Sequence, residues 1–186
     1  VISFEAAISR QLNSCGVIGQ VIQSSSVNGF MSIGPTGRGF LCATAPDNSN
    51  NGGRCRGVNT VDFQIKRTSP YQIAAGNYCV LGGGAGNLIT GSYSVVVGGG
   101  FNRVYQSFSF IGGGYNNRLN SKFGVVSGGK QNLNQGYAAV IVGGASNFNH
   151  GNYSSLMGGH NNNIRSSIAT LCGGQSNAIG PKAIGA

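Results

Sequence analysis

Tyr93-Ser-Val-Val-Val-Gly-Gly-Gly-Phe-Asn102 is followed, fifteen residues on, by Phe108-Ser-Phe-Ile-Gly-Gly-Gly-Tyr-Asn-Asn117. The phrase extends in both directions. Its asparagines are Asn87, Asn102, Asn117, Asn132, Asn147, Asn162 and Asn177, each 15 residues from the next. Before each stands a pair of glycines: Gly83-Gly84, Gly98-Gly99, Gly113-Gly114, Gly128-Gly129, Gly143-Gly144, Gly158-Gly159 and Gly173-Gly174. A short period held through seven copies is the signature of a solenoid, in which each copy is one coil stacked on the last.

The rows within the repeat predict its cross-section. Nine residues before each Asn stand Tyr78, Tyr93, Phe108, Phe123, Ala138, Tyr153 and Ile168. The next place is small: Cys79, Ser94, Ser109, Gly124, Ala139, Ser154, Ala169. Then comes a mostly apolar row from Val80 to Thr170, and then an aliphatic one, Leu81, Val96, Ile111, Val126, Ile141, Leu156 and Leu171. Successive strand residues point to opposite faces. The small and aliphatic rows therefore share one face, and the aromatic and Val rows share the other. Both faces are apolar, so the strand is expected to be covered on both sides. One face fills the coil. The other needs a second surface, and the simplest is another copy of the chain. The row Tyr78, Tyr93, Phe108, Phe123, Tyr153 and Ile168 is the expected trimer contact. The Gly-Gly pairs are expected to turn the chain and permit close packing, and the asparagines to stack as an amide ladder. Seven coils at about 4.8 Å make a rod roughly 34 Å long.

Composition narrows the class. Gly is 34 of 186 residues, without a strict triplet and with only 4 Pro, which excludes collagen. The hydrophobic fraction of 40% is too high for a disordered Gly-rich linker, and the charged fraction is only 8%. The net charge is +9, and no carboxylate side chain follows Asp62. Such an excess suits an anionic partner, but the basic residues form no run, which favours scattered solubilising charge. Arg103 and Arg118 share one repeat position on adjacent coils, with Lys122 and Lys130 nearby. They are the candidate binding patch for an anionic sugar or phosphate, against a plainer reading as screened outward charges. No 18-residue apolar stretch is present, so no membrane insertion is expected. The chain opens at Val1 without Met, which suggests that an upstream part is missing.

The sequence divides into a β-rich head or connector at 1–57, a degenerate entry coil at 58–77, seven coils at 78–182 and a tail at 183–186. In the head, Glu5-Ala-Ala-Ile-Ser-Arg-Gln is read as a helical turn. Runs at Val17–Gln23, Phe30–Ile33 and Phe40–Thr44 are read as strands, separated by turn chemistry at Asn28-Gly29 and Gly34–Gly39. Residues 46–57 form a polar loop without Walker spacing, read as a plain surface loop. Phe63 and Ile65 fall in phase with the later repeats. Of the five cysteines, Cys42 and Cys55 are a candidate disulfide, and Cys79 and Cys172 are expected to be buried thiols.

The residues for an enzyme are sparse. A glycosidase normally needs two carboxyl groups across the scissile bond, and outside the N-terminus only Asp47 and Asp62 qualify. His150 and His160 lack an orienting carboxylate nearby in sequence and are read as exposed turn residues. No metal or cofactor motif occurs. The expectation is a non-enzymatic chain without cofactors.

Ser94-Val-Val-Val-Gly-Gly-Gly100 and Ala139-Val-Ile-Val-Gly-Gly144 resemble the head repeats of trimeric autotransporter adhesins, the YadA-like head. Gly-Gly-x-x-Asn repeats are also similar to those of fibre-type proteins of bacteriophages and large DNA viruses. In those proteins stretches like Arg56–Arg67 and Ala75–Gly84 open the array. The resemblance covers about residues 54–180. It implies a parallel β-solenoid of the left-handed β-roll type, assembled as a homotrimer. It further implies a structural and host-attachment fibre at a virion or extracellular surface. Expected partners are a host cell-surface glycan or other anionic polymer and other fibre or virion proteins, with no nucleic acid. The rival expectations are a bacterial adhesin head, a purely structural assembly protein and a fibre-borne polysaccharide depolymerase. The aromatic and Asn rows depart from the adhesin heads, and no stalk or anchor is visible.

Overall fold

The computed structural model describes residues 39–44 and 46–181 in full. It also describes the backbone of three earlier strands, at 7–12, 18–24 and 27–33. All helical or strand structure among the described residues is β-strand. The chain is an all-β parallel solenoid preceded by an antiparallel meander.

Each coil of the solenoid carries two short strands. The first set runs from Val80–Leu81 through Val95–Val96 and Phe110–Ile111 to Thr170–Leu171, and we call its sheet I. The second set runs from Leu88–Ile89 through Arg103–Val104 and Arg118–Leu119 to Ala178–Ile179, as sheet II. All neighbours are parallel, with Val80 paired to Val95 and Val95 to Phe110. A third ladder of single bridges links Lys66, Ala85, Gly100, Tyr115, Lys130, Ala145, His160 and Gln175.

The two predicted faces of the strand are both present. Leu81, Val96, Ile111, Val126, Ile141 and Leu156 are fully buried and form one wall of the core, with Cys79, Ser94, Ala139 and Ser154 beside them. Ile89, Val104, Leu119 and Ile164 of sheet II form the opposite wall. Full burial of each such aliphatic side chain contributes about 1.5–3 kcal/mol. Asn134 and Asn149 stand in the same wall and bond backbone carbonyls inside the coil.

The asparagine row differs from the expected amide ladder. Each side chain bonds backbone, not its neighbour's amide. Asn117 Nδ2 donates to the Gly113 carbonyl at 3.0 Å and to the Gly129 carbonyl at 2.9 Å. Its Oδ1 accepts from the Asn132 backbone N–H at 3.0 Å. Three buried backbone groups, two of them on the next coil, are thus satisfied by one side chain.

The glycine pairs split into two roles. The second glycine has a left-handed backbone, as at Gly99 with φ 81° and Gly129 with φ 87°. A Cβ there would lie 2.2 Å from the carbonyl oxygen of Gly114 or Gly144 on the next coil. The first glycine of every pair, from Gly83 to Gly173, has open space where a Cβ would stand.

Before the solenoid, β1 (Ala7–Leu12), β2 (Ile18–Ser24), β3 (Val27–Ile33) and β4 (Gly39–Cys42) form an antiparallel meander. The segment read as a helical turn is therefore a strand at Ala7–Leu12. Its pairing to β2 overrides a weak local preference. Asn28 and Gly29 lie within β3, opposite Gln23 and Ile22, and not at a turn. The turn read at Gly34–Gly39 and the 183–186 tail fall outside the described residues, apart from Gly39, which begins β4. Strand β4 pairs in parallel with β5 (Thr60–Asp62), and β5 with Val80–Leu81, so the meander runs into sheet I.

The entry coil has its own register. Asp62 pairs with Leu81 and Lys66 with Ala85, both nineteen apart, whereas Ala74 pairs with Ile89, fifteen apart. Four extra residues therefore lie between Lys66 and Ala74. This corrects the phase of Phe63 and Ile65, which are exposed outside the core. The core position belongs to Asp62, held by Arg56 Nε at 2.9 Å and Arg67 Nη2 at 3.3 Å. Gln64 serves the first coil as each Asn serves the next: its Oε1 accepts from the Asn87 backbone N–H at 2.6 Å.

Candidate interaction surfaces

Sheet I turns an apolar face outward. Tyr78, Tyr93, Phe108 and Phe123 sit just before its strands in left-handed backbone, with φ of 55–59°. Aromatic residues rarely adopt that conformation, which costs about 1–2 kcal/mol per residue. Their rings stack in a column, with centroids 4.9, 5.1 and 5.2 Å apart and planes within 13° of parallel. Ala138 interrupts the column, and Tyr137 bridges the gap edge-on between Phe123 and Tyr153. The rings remain about half exposed, at 46–52% for the stacked four, with Tyr153 at 62% and Ile168 at 84%. Val80 and Phe110 within these strands, and Val97, Val142 and Met157 just after them, are also exposed. The open first glycines run alongside. Stacked rings cover one another's faces and present their edges, so this column suits a packed surface better than the flat face of a sugar.

Sheet II turns a diverged face outward. Arg103 and Arg118 are register partners on adjacent strands, as the shared repeat position predicts. Arg103 Nη1 donates to Asn116 Oδ1 at 3.0 Å. Arg118 Nε donates to Asn120 Oδ1 at 3.2 Å, and its guanidinium lies 4.9 Å from the Tyr105 ring centroid. Lys130 stands on the third ladder between Tyr115 and Ala145, and Lys122 on the turn before Phe123. Both are exposed. The four candidate residues thus occupy three different places around the coil, and only the two arginines are strand neighbours. His150 and His160 are exposed.

No protein-family model and no curated protein matches this chain.

The carboxylates are structurally engaged. Asp62 is buried between its two arginines. Burial draws the Arg67 guanidinium below its ordinary value, against the opposing pull of Asp62. Asp47 organises the 46–57 loop, accepting from the Ser49 and Gly52 backbone and from Ser49 Oγ. Slight desolvation raises the Asp47 pKa, but these bonds outweigh it and hold the carboxyl below its usual value. No group of residues suited to hold a metal occurs among the described residues.

The cysteines depart from expectation. Cys55 is in a disulfide, but Cys42 is a free, buried thiol, so the two are not paired. Burial pushes the Cys42 thiol up to about 11. Cys79 is free and buried as predicted. Cys172 is free but exposed, because it points outward on the last coil, where the strand alternation turns from Leu171.

Sequence reasoning missed one further feature. The 46–57 loop folds back onto the four-residue insertion, with the Arg54 N–H donating to the Pro70 carbonyl at 2.9 Å. Between them and the first coil lies a cleft of about 450 Å3. Its only forewarning in the sequence is the break in the repeat before Ala74.

Proposed function

We propose that this chain is the shaft of a homotrimeric fibre at a virion or extracellular surface. It would serve as a rigid element that carries host-surface binding sites in three copies, in the left-handed roll of 15-residue coils its repeats suggest. One observation carries the assembly part of this reading: the row of first glycines. Nothing within one chain requires glycine at Gly83, Gly98, Gly113, Gly128, Gly143 and Gly158, since each has open space for a side chain. Yet all seven copies keep it, beside a half-exposed aromatic column held in costly backbone. A closely approaching second chain accounts for both. It would exclude side chains along the glycine row and cover the rings. The diverged face of sheet II then remains outward, free to meet a host glycan, and triple display raises weak contacts to useful avidity.

Sedimentation equilibrium of the purified chain is the direct test. A trimer is expected, and a stable monomer would sink the assembly. The attachment role is tested separately by a glycan array and whole-cell binding. A trimer that binds neither would leave a purely structural role.

A further inference from the structure

We infer that the cleft at the entry coil is a binding site for an acidic sugar. Both of its walls are departures from the repeat. One is the 46–57 loop, fastened by Asp47. The other is the insertion that brings out Tyr71. Among the described residues this combination of walls occurs once, at the entry to the solenoid. The cleft's floor is apolar, made by Ile73, Ala75 and Leu88. On its wall the Arg54 guanidinium lies 4.5 Å from the Tyr71 ring centroid, an attractive cation–π placement that restrains an otherwise exposed side chain.

The Arg54 guanidinium has no hydrogen-bond acceptor or acidic partner among the described residues. The side-chain amide of Asn48, on the rim, likewise has none there. A concave, mostly apolar site with a few convergent polar groups is the usual form of a small-ligand pocket. Arg54, the one cation with open donors among the described lining residues, selects a single carboxylate, which Arg can grip with two parallel bonds. A phosphate polymer would call for several cations, and among its described lining residues this cleft offers one. The apolar floor and the tyrosine ring suit the C–H face or N-acetyl methyl of a sugar. The Asn48 amide and the Thr90 hydroxyl suit its hydroxyls. The two chemical sources are nonulosonic and hexuronic acids.

This deepens the host-glycan reading and rests on it for the ligand class, but the described lining residues form the cleft within a single chain. The test is calorimetry and saturation-transfer NMR on the full chain. The probes are N-acetylneuraminic acid, glucuronic acid and the methyl ester of the former. One acid is expected to bind with millimolar affinity and its neutral ester at least about tenfold more weakly. Arg54→Gln should lose the same factor, and Ala75→Phe should abolish binding by filling the floor. Which acid binds identifies the source. The proposal is overturned if neither acid binds at about 10 mM, if acid and ester bind alike, or if Arg54→Gln binds as the parent does. Sedimentation of the same samples separates the two readings: a monomer that binds retains this site and removes the trimer, and a trimer that does not bind does the reverse.

Discussion

The two glycines of one pair should behave oppositely when replaced by alanine. At Gly129 the backbone is left-handed, with φ 87°, and a Cβ would stand 2.2 Å from the Gly144 carbonyl oxygen. That is more than about 1 Å inside ordinary contact. The left-handed conformation alone costs an alanine about 1–2 kcal/mol. Relief requires the next coil to move away. The Gly144 carbonyl accepts from the Lys130 N–H at 3.0 Å and from Asn132 Nδ2 at 3.1 Å, and both bonds would stretch. Each is worth about 1 kcal/mol. Gly129→Ala should therefore cost roughly 3–4 kcal/mol, lowering the melting temperature by about 10 °C in a chain of this size. Gly128→Ala meets nothing within 4 Å and lies outside the left-handed region. In the isolated chain it should be neutral, or stabilising by about 0.5 kcal/mol through the unfolded state. Thermal and denaturant unfolding of both variants, followed by sedimentation, reads the contrast. Equal losses in a chain that sediments as a monomer would refute the division of roles. In an assembly packed on this face, Gly128→Leu should shift the population to smaller species.

Three further outcomes follow from the core and the entry coil. Asn134 and Asn149 occupy equivalent core positions, but Asn134 Oδ1 has no partner among the described residues, whereas Asn149 Oδ1 accepts from Ser154 Oγ and the Gly151 N–H. Asn134→Leu should stabilise by up to about 1 kcal/mol and Asn149→Leu should destabilise by about 1–3 kcal/mol, as read by denaturant unfolding. Asp62→Asn leaves two buried arginines without a counter-charge and should cost about 3–5 kcal/mol, with the loss centred on amide protection in the entry coil. For Cys42, the folded state holds the thiol proton up to about pH 11, while an unfolded thiol releases it near its ordinary 9.0. The folded chain then binds more protons between these values, so stability should fall by about 2–3 kcal/mol as pH rises from 9 to 11. Cys42→Ala should remove this share of the fall and leave the part due to Cys79, whose thiol burial also raises.

The solenoid was legible because its period is uninterrupted, and alternation within each copy told inside from outside. Leu81 and its equivalents are buried, and Tyr78 and its equivalents face outward, as the two-residue spacing requires. The asparagines were visible as a row, but their bonding partner was not. An amide stack and a side-chain-to-backbone ladder demand the same residue at the same spacing. The entry coil misled because Phe63 and Ile65 happen to match the fifteen-residue phase, while the insertion after Lys66 shifts the true register by four. Nothing local marks Asp62 as a core residue. Only its pairing with Leu81, and the arrival of Arg56 and Arg67, make that position tolerable. The cleft was invisible for the same reason, since its walls meet through loop packing that no period encodes.

What holds the coils together bears on what their outer columns mean. Asn117 satisfies Gly113, Gly129 and Asn132 through backbone groups alone, and the aliphatic walls close the interior. The solenoid's interior is therefore closed without a fixed residue type at every outer position, and those positions are free to drift. On sheet II they have done so: the residue after each Asn is Leu88, Arg103, Arg118, Leu133, Phe148, Asn163 or Ala178. Along sheet I they have not. The first glycine is invariant across the copies, and aromatic rings stand at five of seven left-handed positions where glycine or asparagine would be less strained. The rings gain from stacking on one another within the chain, but the open glycine row has no such use there, and we propose that it answers a constraint from outside, repeated at the spacing of the coils. A second copy of the same solenoid, packed alongside in parallel, has that spacing. A host receptor of unrelated structure does not, which supports the proposal that the uniform face serves assembly and the diverged face recognition.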